Sequence, residues 1–308
     1  MKILMLHDCA GVGLKLRKEL IERGFDVDLY FFGLNRDPYL DYGDCWVPKV
    51  GRDVVWFIFK KLMKDYDIIH TYNTRFPNHP LPYDYVLAKL RHRRIVVHFH
   101  GSDLRIYHDK PSVKFLLSNK TLLVSTPDLL QYCPDRAIWL HNPVCPDVFY
   151  PTPQEPHDSI RILHSSTDPE IKGTIYLEKA VDELRRRGYN IELLIVGKYN
   201  PVPASVMPKL YAWADIVVNE LLLPLHSLVG IEAMLCERPV VSSYKISRRI
   251  SNPPIVDVCP STLVETLERL IQSPKLRREL GEQGRKWALE NHDPKRVTDE
   301  LVKIYGNA

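Results

Sequence analysis

Short, near-continuous apolar runs alternate with amphipathic stretches along almost the whole chain. The runs at 2–6, 27–32, 68–72, 95–99, 122–125 and 137–140 read as strands. Between them, 14–23, 53–64 and 83–91 carry apolar residues at helical spacing, and Gly24 stands where the first helix should stop. Strands that are apolar on both sides and separated by helices predict a parallel sheet covered on both faces.

The alternation breaks at 143–159, where five prolines let neither helix nor strand run through. It then restarts. Strands are expected at 161–165, 191–196, 216–218 and 240–242, with helices at 174–187, at 206–213 and opening near Ser227. Helices at 262–272, 275–290 and 294–305 close the chain. The expectation is an α/β fold of two doubly wound Rossmann-like domains facing a cleft. They are placed at 1–148 and 149–292, with a C-terminal helix at 293–308 returning to the N-terminal domain. A length of 308 residues agrees, because single cores stop growing at about 250–300. Ligands of such sheets bind at the carboxyl ends of the strands, near the switch point.

Composition narrows the partners. The apolar share of 45% is that of a soluble globular protein, and no apolar run approaches the ~18–20 residues of a membrane span. The opening MKILMLHD breaks at His7 and Asp8 and reads as a strand rather than a signal peptide. Six scattered cysteines without a C-x-x-C pair signal neither zinc nor redox chemistry and fit a reducing cytoplasm. A net charge of +4 permits an anionic partner, and no basic and aromatic interleaving points to nucleic acid. The stretch 54–64, VVWFIFKKLMK, reads as a helix packed on the sheet with a basic outer edge. It is also suited to peripheral contact with an anionic inner membrane face.

Candidate chemistry sits just after strands. In 215–243, Ser227 is an N-cap candidate, Gly230 allows close approach, and the helix start suits a diphosphate. Glu232, about one turn further on, is within reach of the sugar hydroxyls of a nucleotide held there. An ordinary strand–loop–helix unit with Glu232 facing water fits the segment equally well. In HDCAGVG, Gly11 and Gly13 allow tight turning, but position 16 is Leu, so the dinucleotide fingerprint is absent. HFHGSD puts His98 and His100 on one side of a strand. We assign function to His100, with both imidazole forms accessible near neutral pH, and a structural role to His98. STDPEIKGT sets Lys172 and Gly173 ahead of a helix, where an ammonium can neutralise a leaving diphosphate; a solvated surface Lys is the alternative.

With these residues in hand, the chain resembles the retaining GT-B glycosyltransferases of the group 1, or family 4, type over nearly its whole length. FHGSD resembles the family's N-domain His loop, HNPVCPDVFYP its hinge entry, and KGT its phosphate-binding Lys-Gly. ADIVVNELLLPLHSLVGIEAMLCERPVV resembles its donor-binding region. The resemblance implies a metal-independent, hexosyltransferase-like enzyme without cofactor, its co-substrates a nucleotide diphospho-sugar and a hydroxyl acceptor. It implies that Glu232 holds the ribose, that the Leu228 and Val229 N–H groups and Lys172 meet the diphosphate, and that His100 contacts the donor sugar. Gly11 and Gly13 would close over donor or acceptor, and Gly197 would sit near the base. The chain departs from the pattern at Pro224, where a sugar-gripping Glu is usual, and at Thr167 and Pro169, where an Arg is expected. His226 or Glu220 stands as a substitute for that Glu. The departures leave a second expectation, a catalytically silent binder of sugar nucleotides or glycans.

Overall fold

The computed structural model describes residues 1–8, 11–32, 45–47, 52–62, 64–72, 83–90, 93–224, 227–244 and 252–307. The chain divides into two compact units, Met1–Pro143 with Pro294–Ala308, and Val144–Asp293.

The first unit holds strands β1 (Lys2–Leu6), β2 (Asp26–Phe32), β3 (Trp46–Val47), β4 (Ile68–Tyr72), β5 (Arg94–Phe99), β6 (Thr121–Val124) and β7 (Ile138–Trp139). All pair in parallel, in the order β3-β2-β1-β4-β5-β6-β7, so the order reverses between β1 and β4. Its helices are α1 (Val12–Glu22), α2 (Arg52–Leu62), α3 (Tyr83–Leu90), α4 (Ser102–Arg105) and α5 (Pro111–Leu117). The unbroken apolar character of β1 follows from burial on both faces. Ile3 and Met5 pack with Val12, Leu16 and Leu20 of α1, while Leu4 and Leu6 pack with Val54 and Ile58 of α2.

The second unit begins with β8 (Ile160–Ser166), α6 (Pro169–Lys172), α7 (Thr174–Arg186), β9 (Ile191–Gly197), α8 (Met207–Trp213), β10 (Ile216–Val218) and α9 (Leu228–Leu235). It continues through β11 (Val240–Ser242), β12 (Val256–Asp257), α10 (Leu263–Gln272) and α11 (Pro274–His292). The sheet is again parallel, in the order β12-β11-β10-β8-β9. The last helix, α12 (Pro294–Asn307), belongs to the first unit. Its Val297, Leu301, Ile304 and Tyr305 share the α1 core cluster, and Arg23 meets Asp299 at 2.8 Å.

Several boundaries differ from the sequence reading for local reasons. Helix α1 starts earlier than 14 because the Asp8 carboxylate accepts the Leu14 N–H at 3.1 Å and secures its first turn. The run 137–140 pairs over only Ile138 and Trp139. Segment 54–64 forms α2 through Leu62, with Val54 and Ile58 in the core; residue 63 lies outside the described residues, as does His226. No helix among the described residues is long and apolar enough to cross a membrane.

Candidate functional site

The carboxyl ends of β9, β8 and β10 lie side by side, with Ser166 opposite Gly197 and His164 opposite Val218. Gly197 has φ 127°, and a Cβ there would run into the Ser166 carbonyl oxygen, so only glycine lets the two strands close. Beyond β8, Asp168 caps the single turn of α6 by accepting the Ile171 N–H at 3.3 Å. The turn ends at Gly173, φ 76°, which serves as C-cap of α6 and N-cap of α7. The Lys-Gly pair is thus a backbone device that sets Lys172 on the strand edge.

Lys172 does not extend into solvent. Its Nζ donates to the Ser165 carbonyl at 3.3 Å and pairs with Glu220 Oε1 at 3.0 Å. Nearby, His164 lies 2.9 Å from the Val218 carbonyl through Nδ1 and 2.9 Å from the Thr174 hydroxyl through Nε2. Burial pushes its pKa down to about 4, with the Lys172 charge adding to the effect, so the ring is neutral and ties β8 to β10 and to the start of α7.

Helix α9 opens as expected, with Ser227 at its N-cap in an extended conformation. The Ser227 hydroxyl, however, makes no cap bond to the helix; it donates to Asn219 Oδ1 at 3.0 Å. Among the described residues no side chain caps the amide end of α9, at Leu228 and Val229, which keeps its positive dipole end. Glu232 is half-buried rather than simply facing water. Its Oε2 accepts the Tyr211 hydroxyl at 2.7 Å, and burial together with that carboxylate raises the phenol pKa well above its usual value.

The structure thus brings Lys172, Ser227, Leu228 and Val229 together in one unit, linked through the adjacent residues Glu220 and Asn219. Glu232 lies in the same helix as Leu228 and Val229. Gly197 stands across β8 from them. Beside Gly197 opens a cavity of about 370 Å³, lined by Ser166, Thr174, Val196, Lys198, Tyr199 and Asn200 among others. Asn219, Tyr211 and the Lys172–Glu220 pairing escaped the sequence reading of the site. The one available signal was the polar pair Asn219–Glu220 directly after an apolar strand.

His100, Gly11 and Gly13 belong to the first unit. The rings of His98 and His100 lie on one side of the sheet, 4.3 Å apart, as strand alternation requires. The column continues inward: His70 Nε2 is 3.3 Å from His98 Nδ1, and the Tyr305 hydroxyl is 2.6 Å from His70 Nδ1. Burial pushes the pKa of His100 down to about 3, which corrects the expectation that both imidazole forms are accessible near neutral pH. His100 is a neutral hydrogen-bonding group there. The Asp103 carboxylate orders the loop by accepting the N–H groups of His100, Gly101 and Leu104 at 3.1, 2.7 and 2.9 Å. Gly11 adopts φ 68° at the start of α1. Room beside Gly13 is taken by Asp8, whose carboxylate lies 2.9 Å from where a Cβ would stand.

No protein-family model matches the chain, and no curated protein matches it in sequence. Solved structures do match. The sucrose-phosphate synthase of Thermosynechococcus elongatus has a TM-score of 0.76 at 15% identity, over 100% of this chain and 98% of its own. The Anabaena protein HepE in complex with UDP-glucose has a TM-score of 0.65 at 15% identity, over the whole of both chains. A UDP-forming trehalose-phosphate synthase from Burkholderia xenovorans has a TM-score of 0.66 at 13% identity, over 99% of this chain and 98% of its own. These neighbours are GT-B glycosyltransferases, and the likeness establishes the fold of this chain: two Rossmann-like α/β domains of the GT-B type.

Proposed function

We propose that this protein is a retaining glycosyltransferase that moves a sugar from a nucleoside diphospho-sugar to a hydroxyl acceptor. One observation carries the reading: the ammonium of Lys172 and the uncapped amide end of α9 share the carboxyl edge of one parallel sheet, and Glu232 follows in the same helix. An amine and a helix start facing the same region favour a diphosphate, and they favour it more as charge builds on it during departure. In the proposed reaction the bond from the anomeric carbon to the diphosphate oxygen breaks and a bond to the acceptor oxygen forms on the same face. The acceptor's proton passes to the departing phosphate. Lys172 and the Leu228 and Val229 N–H groups carry the leaving-group charge, so the step calls for no metal. Glu232, anchored by Tyr211, holds the ribose, and the cavity beside Gly197 takes the base. HepE holds UDP-glucose, which supports a donor of this class. The acceptor is a hydroxyl of a glycan, a lipid-linked molecule or a small molecule, and Trp56, 59% exposed beside Lys60, supports peripheral contact with an anionic membrane.

Isothermal titration with UDP-, GDP- and ADP-sugars tests the reading; a folded sample that binds none of them refutes it. A second reading, a silent binder of sugar nucleotides, is favoured by one observation, the prior engagement of Lys172 by Glu220. Donor hydrolysis and transfer assays separate the two, since binding without turnover across many acceptors supports the silent form.

A further inference from the structure

We propose that Glu220 is the sugar-holding carboxylate of this site: its Oε2 accepts hydroxyl hydrogens of the donor sugar while its Oε1 holds Lys172 in place. The inference rests on the donor-binding reading above and assigns a role that Pro224 cannot fill.

Glu220 stands two residues beyond the end of β10 and is only 4% exposed. Its position is fixed by the main chain, because its carbonyl accepts the Ser242 hydroxyl at 3.0 Å and the Ser243 N–H at 2.6 Å. Oε1 pairs with Lys172 at 3.0 Å. Oε2 is buried and has no hydrogen-bond partner among the described residues. An unsatisfied buried acceptor is costly, and more so when it is charged, so its retention points to a partner that arrives with the ligand. That partner must be a donor. A diphosphate offers only acceptor oxygens and negative charge, which a carboxylate repels; a sugar hydroxyl offers the O–H that Oε2 lacks. The bond to Lys172 puts this acceptor next to the proposed diphosphate position. Where the family resemblance leads one to look for an acid, Pro224 brings no polar side chain.

The Lys172–Glu220 pair is formally neutral, so a bare nucleoside diphosphate meets less attraction than a lone ammonium would supply, while the sugar-bearing donor gains the Oε2 bond. Glu220 therefore selects donor over product, and once the sugar has left it favours release of the nucleoside diphosphate.

The test is Glu220→Gln, titrated with a nucleoside diphosphate and with the matching nucleotide sugar. Loss of a like charge should tighten the diphosphate roughly tenfold. Loss of a charge-assisted acceptor should weaken the nucleotide sugar by roughly tenfold. Glu220→Asp keeps the charge but draws both oxygens back, so it should weaken the nucleotide sugar more than the diphosphate; it carries the test if the Gln variant does not fold. Shifts of the two ligands in the same direction in the Gln variant, or by equal factors in the Asp variant, overturn the proposal and leave Glu220 a support for Lys172 alone. Wild-type protein that binds nucleotide sugars while Glu220→Gln changes neither affinity also overturns it, with the donor-binding reading intact. Wild-type protein that binds no nucleotide overturns both.

Discussion

Lys172 owes its position to its own turn and strand and to one distant residue, Glu220. Gly173 sets the turn, Ser165 and Glu220 hold the ammonium, and the side chain is mostly sheltered from water. Lys172→Ala is expected to weaken nucleoside diphosphate binding by roughly tenfold or more while leaving bare nucleoside binding unchanged, a contrast that titration reads directly. Equal affinities before and after substitution would remove Lys172 from the site. His100 makes a different case. Its burial keeps it neutral, so its contribution to catalysis is that of a hydrogen-bonding group with a fixed charge state. His100→Ala should lower kcat by roughly a hundredfold with little change in donor affinity. Its ionisation should leave no inflection in the kcat profile between pH 5 and 8; an inflection lost on substitution would contradict the buried neutral ring. The sequence displayed the shared side of His98 and His100, because strand period 2 is local. It hid the pKa, because the burying partners His70, Tyr72 and Tyr305 come from β4 and from α12 at the other end of the chain.

At the scale of elements, what was legible is what is long or bounded by strong chemistry. Strands β1, β4, β10 and β11 were read at their observed limits because each is a short run rich in apolar residues that stops at a polar one: His7, Asn73, Asn219 and Ser243. β3 and β12 span two residues each and α4 a single turn, lengths at which no periodicity can show. The helix α9 was legible as an element, but its support was not. Gly281 and Gly284 sit inside α11, where glycine weakens a helix, and the structure shows why they stand there. A Cβ at Gly281 would run into the Glu237 carbonyl oxygen just after α9, and one at Gly284 would lie 3.0 Å from Met234 Cγ. The two helices pack at this approach, so α11 fixes the helix that carries Glu232. Gly281→Ala should destabilise the second unit by about 1–3 kcal/mol through overpacking, despite the better helix propensity of alanine. Denaturant unfolding measures this, and a stabilised variant would show that the contact relaxes without cost.

Across the whole molecule, the parallel sheets were foreseeable from alternating strands and helices, whereas the distribution of buried titratable groups over the two units was not. Histidine looks alike in sequence whether it is solvated or sealed. Burial lowers the pKa of His70 and His100 to about 3, of His141 and His164 to about 4, and of His98 well below its ordinary value. Four of these five lie in the first unit, and only His164 lies in the second. A group whose folded pKa is depressed below 6.5 is neutral in both states above that value, and no stability is lost there. Below it the unfolded chain takes up a proton that the folded chain refuses, so stability falls as pH drops from about 6.5 toward 3–4, by up to about 1.4 kcal/mol per pH unit for each histidine. By pH 5 each withdraws at most about 2 kcal/mol, so the four of the first unit together approach the ~5–15 kcal/mol that holds a domain folded. The first unit should therefore unfold at a higher pH than the second, with stability level from pH 8 to 7 and falling steeply below 6. Amide hydrogen exchange across this range, followed separately for β4–β5 and β8–β9, reads the order of loss. Simultaneous loss in both units, or protection of β4–β5 that persists unchanged to pH 4, would mean that the histidine column of the first unit is not held neutral by burial.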